Sequence, residues 1–241
     1  MPAYLQRILR NLIFTDLFEG FLTLAYPAKC LVCTKVLPPA MSLPACALCL
    51  LDFEFVGETV AGDFSFDSSF SFFEYNNTLR EIIHDIKFGG KAHKMVGLTS
   101  LAIKMAEERL PFKENFQGQG YEAIVPVPLH AKRYRERGFN QALVIAEVLS
   151  KSTGVPIDEG LCERIVDNPP QSMASREARR KNSVDIFSLN DTLHVTGKSF
   201  LLVDDIFTSG ETLNSLASTF KGAGAKSVSC ITIGIRHLKT D

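Results

Sequence analysis

The sequence predicts an α/β protein in which helices flank a parallel sheet and a small four-cysteine module comes first. Two short apolar segments, 123–128 and 200–203, are each followed by a polar turn and a helical pattern, which is typical of a parallel sheet. Two Cys-x-x-Cys pairs lie close together near the N-terminus. The 241 residues are 46% hydrophobic and 22% charged, a composition that supports a buried core and excludes a disordered protein.

We expect two domains, an N-terminal helix with a zinc ribbon over residues 1–60 and a sheet domain over residues 61–241. The helix is predicted to be amphipathic and packed on the protein itself, with a membrane-surface helix as the alternative. Its apolar positions are Leu5, Ile8, Leu12, Leu17, Phe21 and Leu24. Because Asp16 and Glu19 interrupt the apolar run, we predict neither a signal peptide nor a membrane span and expect a cytoplasmic location.

The cysteine spacing predicts a metal site. The paired cysteines are Cys30 with Cys33 and Cys46 with Cys49, with twelve residues between the pairs. Each pair turns tightly enough to direct two thiolates to one ion, so the four together predict a closed, tetrahedral, structural zinc site. Two disulfides are the alternative, which a reducing compartment disfavours. Cys162 and Cys230 are interpreted as small apolar residues.

The middle of the chain predicts strands and helices in alternation. One or two strands are expected over 64–75, where phenylalanines alternate with Ser and Asp. A helix capped at 76–78 follows and ends near 87–91, and a second helix comes after it. The buried strand at 123–128 leads into a basic loop, and a helix over about 140–152 ends at Gly154.

Residues 200–212 give the clearest indication of a function. Four apolar residues form a buried strand, Asp204 and Asp205 are expected just past its end, and a hydroxyl-rich turn opens a helix that stops at Gly222. Ligands of such sheets bind at the carboxyl ends of the strands, and a helix N-terminus binds phosphate. Adjacent carboxylates can accept hydrogen bonds from a sugar diol. The residues alone therefore favour a phosphorylated sugar, with an ordinary capped turn as the alternative.

The same thirteen residues resemble the phosphoribosyl-pyrophosphate (PRPP) motif of type I phosphoribosyltransferases. The resemblance extends over nearly the whole chain to the ComF family, to which GntX-like proteins belong. The zinc ribbon, Val125-Pro126-Val127-Pro128, Arg137-Gly138-Phe139-Asn140-Gln141, and Pro169-Pro170-Gln171 with its following arginines are the pieces that match. The resemblance implies a type I phosphoribosyltransferase-like fold.

The resemblance also implies roles for individual residues. Asp204 and Asp205 would contact the ribose hydroxyls of PRPP, and the turn would wrap its 5′-phosphate, through Thr208, Ser209, Gly210, Glu211 and Thr212. The pyrophosphate loop and a flap over 164–182 would supply Arg133, Arg137, Gly138, Gln171, Arg176 and Arg180. Both aspartates, Arg137 and Arg176 would be the catalytic residues, and magnesium would bridge pyrophosphate and ribose. Glu211 stands where the family commonly has a small residue.

Three functions follow from the resemblance. The first is PRPP binding linked to natural transformation, with single-stranded DNA and a competence helicase or translocase as partners. The alternatives are an active phosphoribosyltransferase of unknown acceptor in nucleotide metabolism and a PRPP-sensing regulator without turnover. The net charge of −1 excludes a bulk basic field, but residues 130–182 hold ten Lys and Arg against seven Asp and Glu. This local excess suits a polyanion, either pyrophosphate or DNA, on whose bases Tyr134 and Phe139 could stack.

No histidine is expected to act in catalysis, because none has metal-ligand spacing. The five are His84, His93, His130, His194 and His237.

Overall fold

A computed structural model describes residues 27–38, 41, 43–58, 62–110, 112, 116, 119–166 and 186–236. The chain divides into two compact units, Met1–Asp52 and Phe53–Asp241. The predicted N-terminal helix lies outside the described residues. Within them, no helix combines the length and the hydropathy that a membrane crossing requires.

The described residues of the first unit form a turn, a bridge and one short helix. Lys29 and Val36 form an antiparallel bridge around a tight turn, in which the backbone N–H of Thr34 donates to the carbonyl of Cys30 at 2.9 Å. Thr34 has a φ of 60°, the left-handed conformation that such a turn requires. Helix α1, Ala47–Leu50, follows Cys46.

The second unit is built around a five-stranded sheet. Its strands are β1 (Phe55–Glu58), β2 (Ser68–Glu74), β3 (Ala123–Pro126), β6 (Ser199–Phe207) and β7 (Ser227–Ile235), in the order β1-β2-β7-β6-β3. Four strands are parallel, and β1 joins one edge antiparallel to β2. Strands β4 (Cys162–Arg164) and β5 (Phe187–Leu189) form a separate antiparallel pair. The predicted parallel sheet is thus confirmed.

Six helices belong to the described part of this unit. They are α2 (Asn77–Gly89), α3 (Ala92–Glu107), α4 (Ala131–Arg137), α5 (Gln141–Thr153), α6 (Thr192–Val195) and α7 (Glu211–Gly222). The predicted caps are present: the Asn76 side chain accepts from the N–H of Leu79 at the start of α2, and Gly90 ends that helix with a φ of 63°. The basic segment predicted as a loop is instead the short helix α4.

The core lies on both faces of β6 and β7. Side chains from α7 cover one set of alternating strand residues, through Leu213, Leu216, Phe220, Phe200, Leu202 and Cys230. The intervening residues of β6, Leu201 and Val203, are also buried, as expected for a parallel strand covered on both faces. Helices α3 and α5 pack on each other, and α5 packs on β3 and β6.

The predicted strand over 64–75 is shorter than expected. Strand β2 begins at Ser68, and Phe64 and Phe66 precede it with their rings stacked at 4.6 Å. Both rings meet Phe207 edge-on, so burial against β6 explains their apolar pattern without strand structure. The polar residues of β2 are not all exposed either: the Ser71 hydroxyl lies 2.7 Å from that of Thr232 in the interior.

Candidate functional site: an acidic pair and a hydroxyl-rich turn

The acidic pair lies inside β6 rather than past its end, which corrects the prediction. Asp204 pairs in register with Thr232 of β7, and the pairing continues to Phe207. The strand is longer than its apolar run because hydrogen bonding to β7 does not depend on side-chain polarity. Asp204 and Asp205 are neighbours in the strand and lie near its carboxyl end.

Asp205 is buried and paired with a lysine. Its Oδ2 lies 2.6 Å from Nζ of Lys87 in the last turn of α2, and its Oδ1 accepts a hydrogen bond from the N–H of Ile206 at 3.0 Å. The exposed fraction of the side chain is 11% for Asp205 and 24% for Lys87. A buried carboxylate needs such a counter-ion, because an unpaired buried charge is strongly unfavourable.

The surroundings of Asp204 favour its protonated form. Burial, followed by the charge of Asp205, raises the pKa of Asp204 to about 7, although Lys87 and a backbone N–H act in the opposite direction. Its Oδ1 accepts a hydrogen bond from the N–H of Asp205 at 2.8 Å. The two carboxyls therefore differ: Asp205 has a fixed cation, whereas Asp204 exchanges a proton near neutral pH.

The turn after β6 presents hydroxyls and backbone donors at the start of α7. Thr208 and Ser209 are exposed, and the Ser209 hydroxyl accepts weakly from the N–H of Glu211 at 3.5 Å. Gly210 has a φ of 73° and is buried beneath the rings of Phe64 and Phe207. The first-turn N–H groups of this twelve-residue helix and the hydroxyls around them can bind an anion.

Thr212 and Glu211 occupy the first turn of α7. Thr212 is half-buried and Glu211 is exposed. A carboxylate at this helix end interacts favourably with the helix dipole.

The segment after β3 begins at the same sheet edge. The N–H of Val127 donates to the carbonyl of Val203 at 2.8 Å, immediately before the acidic pair. Arg133 is partly exposed and its Nη1 lies 3.6 Å from Oε2 of Glu136. Arg137 ends α4, and Gly138 follows it with a φ of 78°.

Arg137 is joined to the start of α5 by a side-chain contact. Its Nη1 donates to Oε1 of Gln141 at 3.0 Å, and the Asn140 side chain caps α5 by accepting from Ala142. Gln141 is almost fully buried, and its Nε2 has no hydrogen-bond partner among the described residues.

Two site residues were missed by the sequence analysis. Lys87 gave only a weak signal in the sequence, as a lysine next to the apolar positions of α2 and shortly before two glycines. Gln141 is part of the motif that begins at Arg137. Its place at the start of an apolar helix is the sequence signal that could have identified it. The flap residues Gln171, Arg176 and Arg180 lie outside the described residues.

The four N-terminal cysteines converge in the first unit. Their Sγ atoms all lie within 4.8 Å of one another, and those of Cys33 and Cys46 are 3.8 Å apart. Sulfurs bound to one tetrahedral zinc at about 2.3 Å are separated by about 3.8 Å, so the cluster is compatible with structural zinc. All four thiols are free, so the disulfide alternative has no support.

The environment of this cluster favours thiolates at two positions. Burial opposes ionisation of Cys30, but the N–H groups of Cys46, Cys33 and Val32 outweigh it and lower its pKa to about 6. The N–H of Cys49 is the main cause that lowers the pKa of Cys46. Thiolates are the form that binds zinc.

Comparison with known proteins finds a domain family that matches part of the second unit, and several relatives. Residues 140–239 match the phosphoribosyl transferase domain. The chain is 27% identical over 218 residues to Competence protein F of Haemophilus influenzae, covering 87% of this chain and 91% of that protein.

Two further relatives match over part of their length. Competence protein ComFC of Bacillus subtilis is 29% identical over 164 residues, 68% of this chain and 62% of that protein. DNA utilization protein YhgH of Escherichia coli is 29% identical over 160 residues, 66% of this chain and 68% of that protein. The domain match, the relatives and the four-cysteine cluster together support the resemblance of the chain to ComF-family, phosphoribosyltransferase-like proteins.

Proposed function

We propose that the chain binds PRPP at the carboxyl end of β6 and acts in DNA uptake on single-stranded DNA. The observation that supports PRPP best is the acidic pair Asp204–Asp205 followed, two residues later, by the hydroxyl-rich turn at the start of α7. The acids would accept hydrogen bonds from the ribose hydroxyls, and the turn and helix N-terminus would hold the 5′-phosphate.

Arg137 and Gly138 are proposed to lie nearest the pyrophosphate, and Arg133 to add positive charge. Gln171, Arg176 and Arg180 are proposed to close over it from the flap. Magnesium would neutralise part of the pyrophosphate charge when it binds with PRPP. Asp204 suits it because its carboxylate is a hard oxygen donor at the sheet edge.

The four cysteines would hold one structural zinc ion. A four-thiolate shell leaves no open position for substrate, so the metal would organise the first unit and take no part in chemistry.

Thermal unfolding tests the PRPP proposal. PRPP with magnesium should raise the melting temperature in proportion to the logarithm of its concentration, because a ligand that binds only the folded state stabilises it. Ribose 5-phosphate and inorganic pyrophosphate serve as partial ligands. A melting temperature that PRPP leaves unchanged at millimolar concentration contradicts the proposal.

The same sample separates an enzyme from a binder. Pyrophosphate release from PRPP with one member of a panel of bases and amines indicates an active phosphoribosyltransferase. Binding without release from any of them indicates a sensor or a DNA-handling protein.

The proposal on DNA uptake rests on the names of the relatives, two of them competence proteins and one a DNA utilization protein. It is supported by helix α4, which presents exposed Lys132 and Arg135 and a partly exposed Arg133, with Tyr134 about half exposed between them. Basic side chains around an exposed aromatic ring suit single strands, which bind by phosphate contacts and base stacking.

Fluorescence anisotropy of a labelled oligonucleotide over a salt series tests this step. Each phosphate contact releases about 0.7 of a counterion from a single strand, so Arg133→Ala with Arg135→Ala should flatten the salt slope by roughly one to two units. Lys226→Ala, an exposed lysine elsewhere on the unit, is the matched control. Absence of binding at low salt would remove the DNA role for this chain alone.

A further inference from the structure

The ammonium of Lys87 is paired with Asp205, and a sugar ligand that binds this acid must displace it. Its ammonium lies 2.6 Å from Oδ2 of Asp205, while the other oxygen of that carboxylate accepts from a backbone N–H. One Asp205 oxygen is thus hydrogen-bonded to the backbone, and the other is buried and ion-paired with Lys87. A ribose hydroxyl can bind Asp205 only if the ammonium of Lys87 moves away from it.

The other lysines near Lys87 have a different partner. Nζ of Lys91 and Nζ of Lys94 both lie on Oδ2 of Asp85, at 3.0 and 2.7 Å. Lys87 is set apart from this cluster by the direction of its side chain toward the carboxyl end of β6. Its side chain is 24% exposed, so the ammonium is reachable from solvent.

The fold brings Lys87 to this place by the path of α2. Near its start, Leu79 packs so closely over β7 that a Cβ on Gly234 would lie 2.6 Å from Leu79 Cδ2. Its last turn reaches Asp205 of β6, so the helix lies across the carboxyl ends of these two strands. Gly89 and Gly90 end α2 directly after this contact.

We propose that Lys87 selects a sugar phosphate that also carries a pyrophosphate on C1 over one that carries only the 5′-phosphate, an inference that rests on the proposed PRPP function. A ligand that carries only the diol and the 5′-phosphate displaces the ammonium from Asp205 and leaves it without an equivalent partner. A ligand that also carries a pyrophosphate on C1 supplies a new anion within reach of the flexible lysine side chain. Lys87 therefore opposes ribose 5-phosphate and favours PRPP.

Isothermal calorimetry with PRPP–magnesium and with ribose 5-phosphate on the full chain tests this. Lys87→Met should weaken PRPP by about 10- to 100-fold, the effect of a lost hydrogen bond between charged groups. Ribose 5-phosphate should bind Lys87→Met as tightly as wild type or more tightly. The selectivity ratio therefore falls, which a loss of folded protein or a general distortion of the site does not produce.

Two variants complete the experiment. Lys87→Arg keeps the charge and the pairing and should keep the ratio within a few-fold of wild type, even where Lys87→Met is poorly folded. Lys91→Met, a neighbour paired with Asp85, should leave both affinities unchanged. An equal change for both ligands in Lys87→Met, or a collapsed ratio in Lys87→Arg, overturns the inference. A wild-type protein that binds ribose 5-phosphate but not PRPP also overturns it, and one that binds neither ligand overturns the proposed function itself.

Discussion

At the scale of single residues, the charge of Asp204 depends strongly on its surroundings. Its pKa is raised from about 4, the ordinary value of Asp, to about 7. A carboxyl with a raised pKa in the folded state stabilises that state most at low pH, and the contribution is lost as pH rises through the folded-state pKa. The acid is therefore a source of instability at neutral pH and above in the unliganded protein.

Asp204→Asn should remove this pH dependence. The melting temperature of the variant relative to wild type is expected to rise between pH 5 and pH 8, because only the wild type must ionise a buried carboxyl. Differential scanning fluorimetry over this range measures it. Asp85→Asn, in the partly exposed cluster with Lys91 and Lys94, is the control and should show no such gain. A constant difference across the range contradicts the raised pKa.

Thr212 is expected to bind the phosphate of PRPP through its hydroxyl. Thr212→Ala should weaken PRPP by roughly 1.5–3 kcal/mol, the range for a hydrogen bond to a charged group. Thr219→Ala is a matched control on the same helix, since that hydroxyl donates only to the carbonyl of Ser215. Calorimetry that finds equal affinities for both variants argues against the turn as the phosphate site.

The same scale shows what sequence reasoning can and cannot reach. Asp204, Asp205 and the turn after them are neighbours in the chain, so their spacing predicts a shared site. Lys87 comes from a distant helix, and its contact with Asp205 depends on how α2 crosses the sheet. The raised pKa of Asp204 follows from burial, which the sequence does not report.

At the scale of elements, the turn between β6 and α7 depends on Gly210. Its φ of 73° costs a residue with a side chain about 1–2 kcal/mol, and an added Cβ would lie 2.5 Å from Cζ of Phe207. Gly210→Ala should therefore destabilise the protein by more than the conformational cost alone and should weaken phosphate binding.

Urea denaturation of a matched variant separates the two causes. Gly154→Ala places a methyl group at a similar φ of 78° with nothing within 4 Å, so it measures the backbone cost without the clash. Gly210→Ala should cost more than Gly154→Ala. Equal costs would show that the ring of Phe207 moves aside freely.

The elements themselves were predicted unevenly. Helices α2 and α5 have caps in the sequence, Asn76 and Asn140, and their positions agree with the structure. Strand β6 extends through both acids because its pairing with β7 continues beyond them. The alternating phenylalanines before Ser68 reflect stacking of aromatic rings rather than a strand. Pairing between strands and ring packing are tertiary effects, which local spacing does not contain.

At the scale of the whole molecule, the two units should respond differently to removal of metal. Structural zinc contributes on the order of 10–16 kcal/mol in small peptide modules, so chelation should unfold Met1–Asp52 while the sheet unit keeps its structure. Hydrogen exchange should show loss of protection in residues 27–52 and retained protection in β6 and β7. Cys162→Ala is the control, since this buried cysteine lies outside the cluster.

Elemental analysis of protein purified without chelator gives the direct measurement. One zinc per chain is expected in the wild type and in Cys162→Ala, and none in Cys46→Ser. Wild-type protein that contains no metal contradicts the zinc site.

The two edge strands of the sheet affect whether copies of the protein can aggregate through their sheet edges. On one edge, β1 has a register shift and a Gly57 with a φ of 58°. On the other, the segment around Ile157 hydrogen-bonds to both backbone groups of Ile124 in β3. A regular row of unpaired backbone donors and acceptors along an edge strand allows sheets to pair edge to edge and grow into fibres. In the described part of both edges that row is interrupted, so crowded or overexpressed protein should resist growth of cross-β aggregates from its native state.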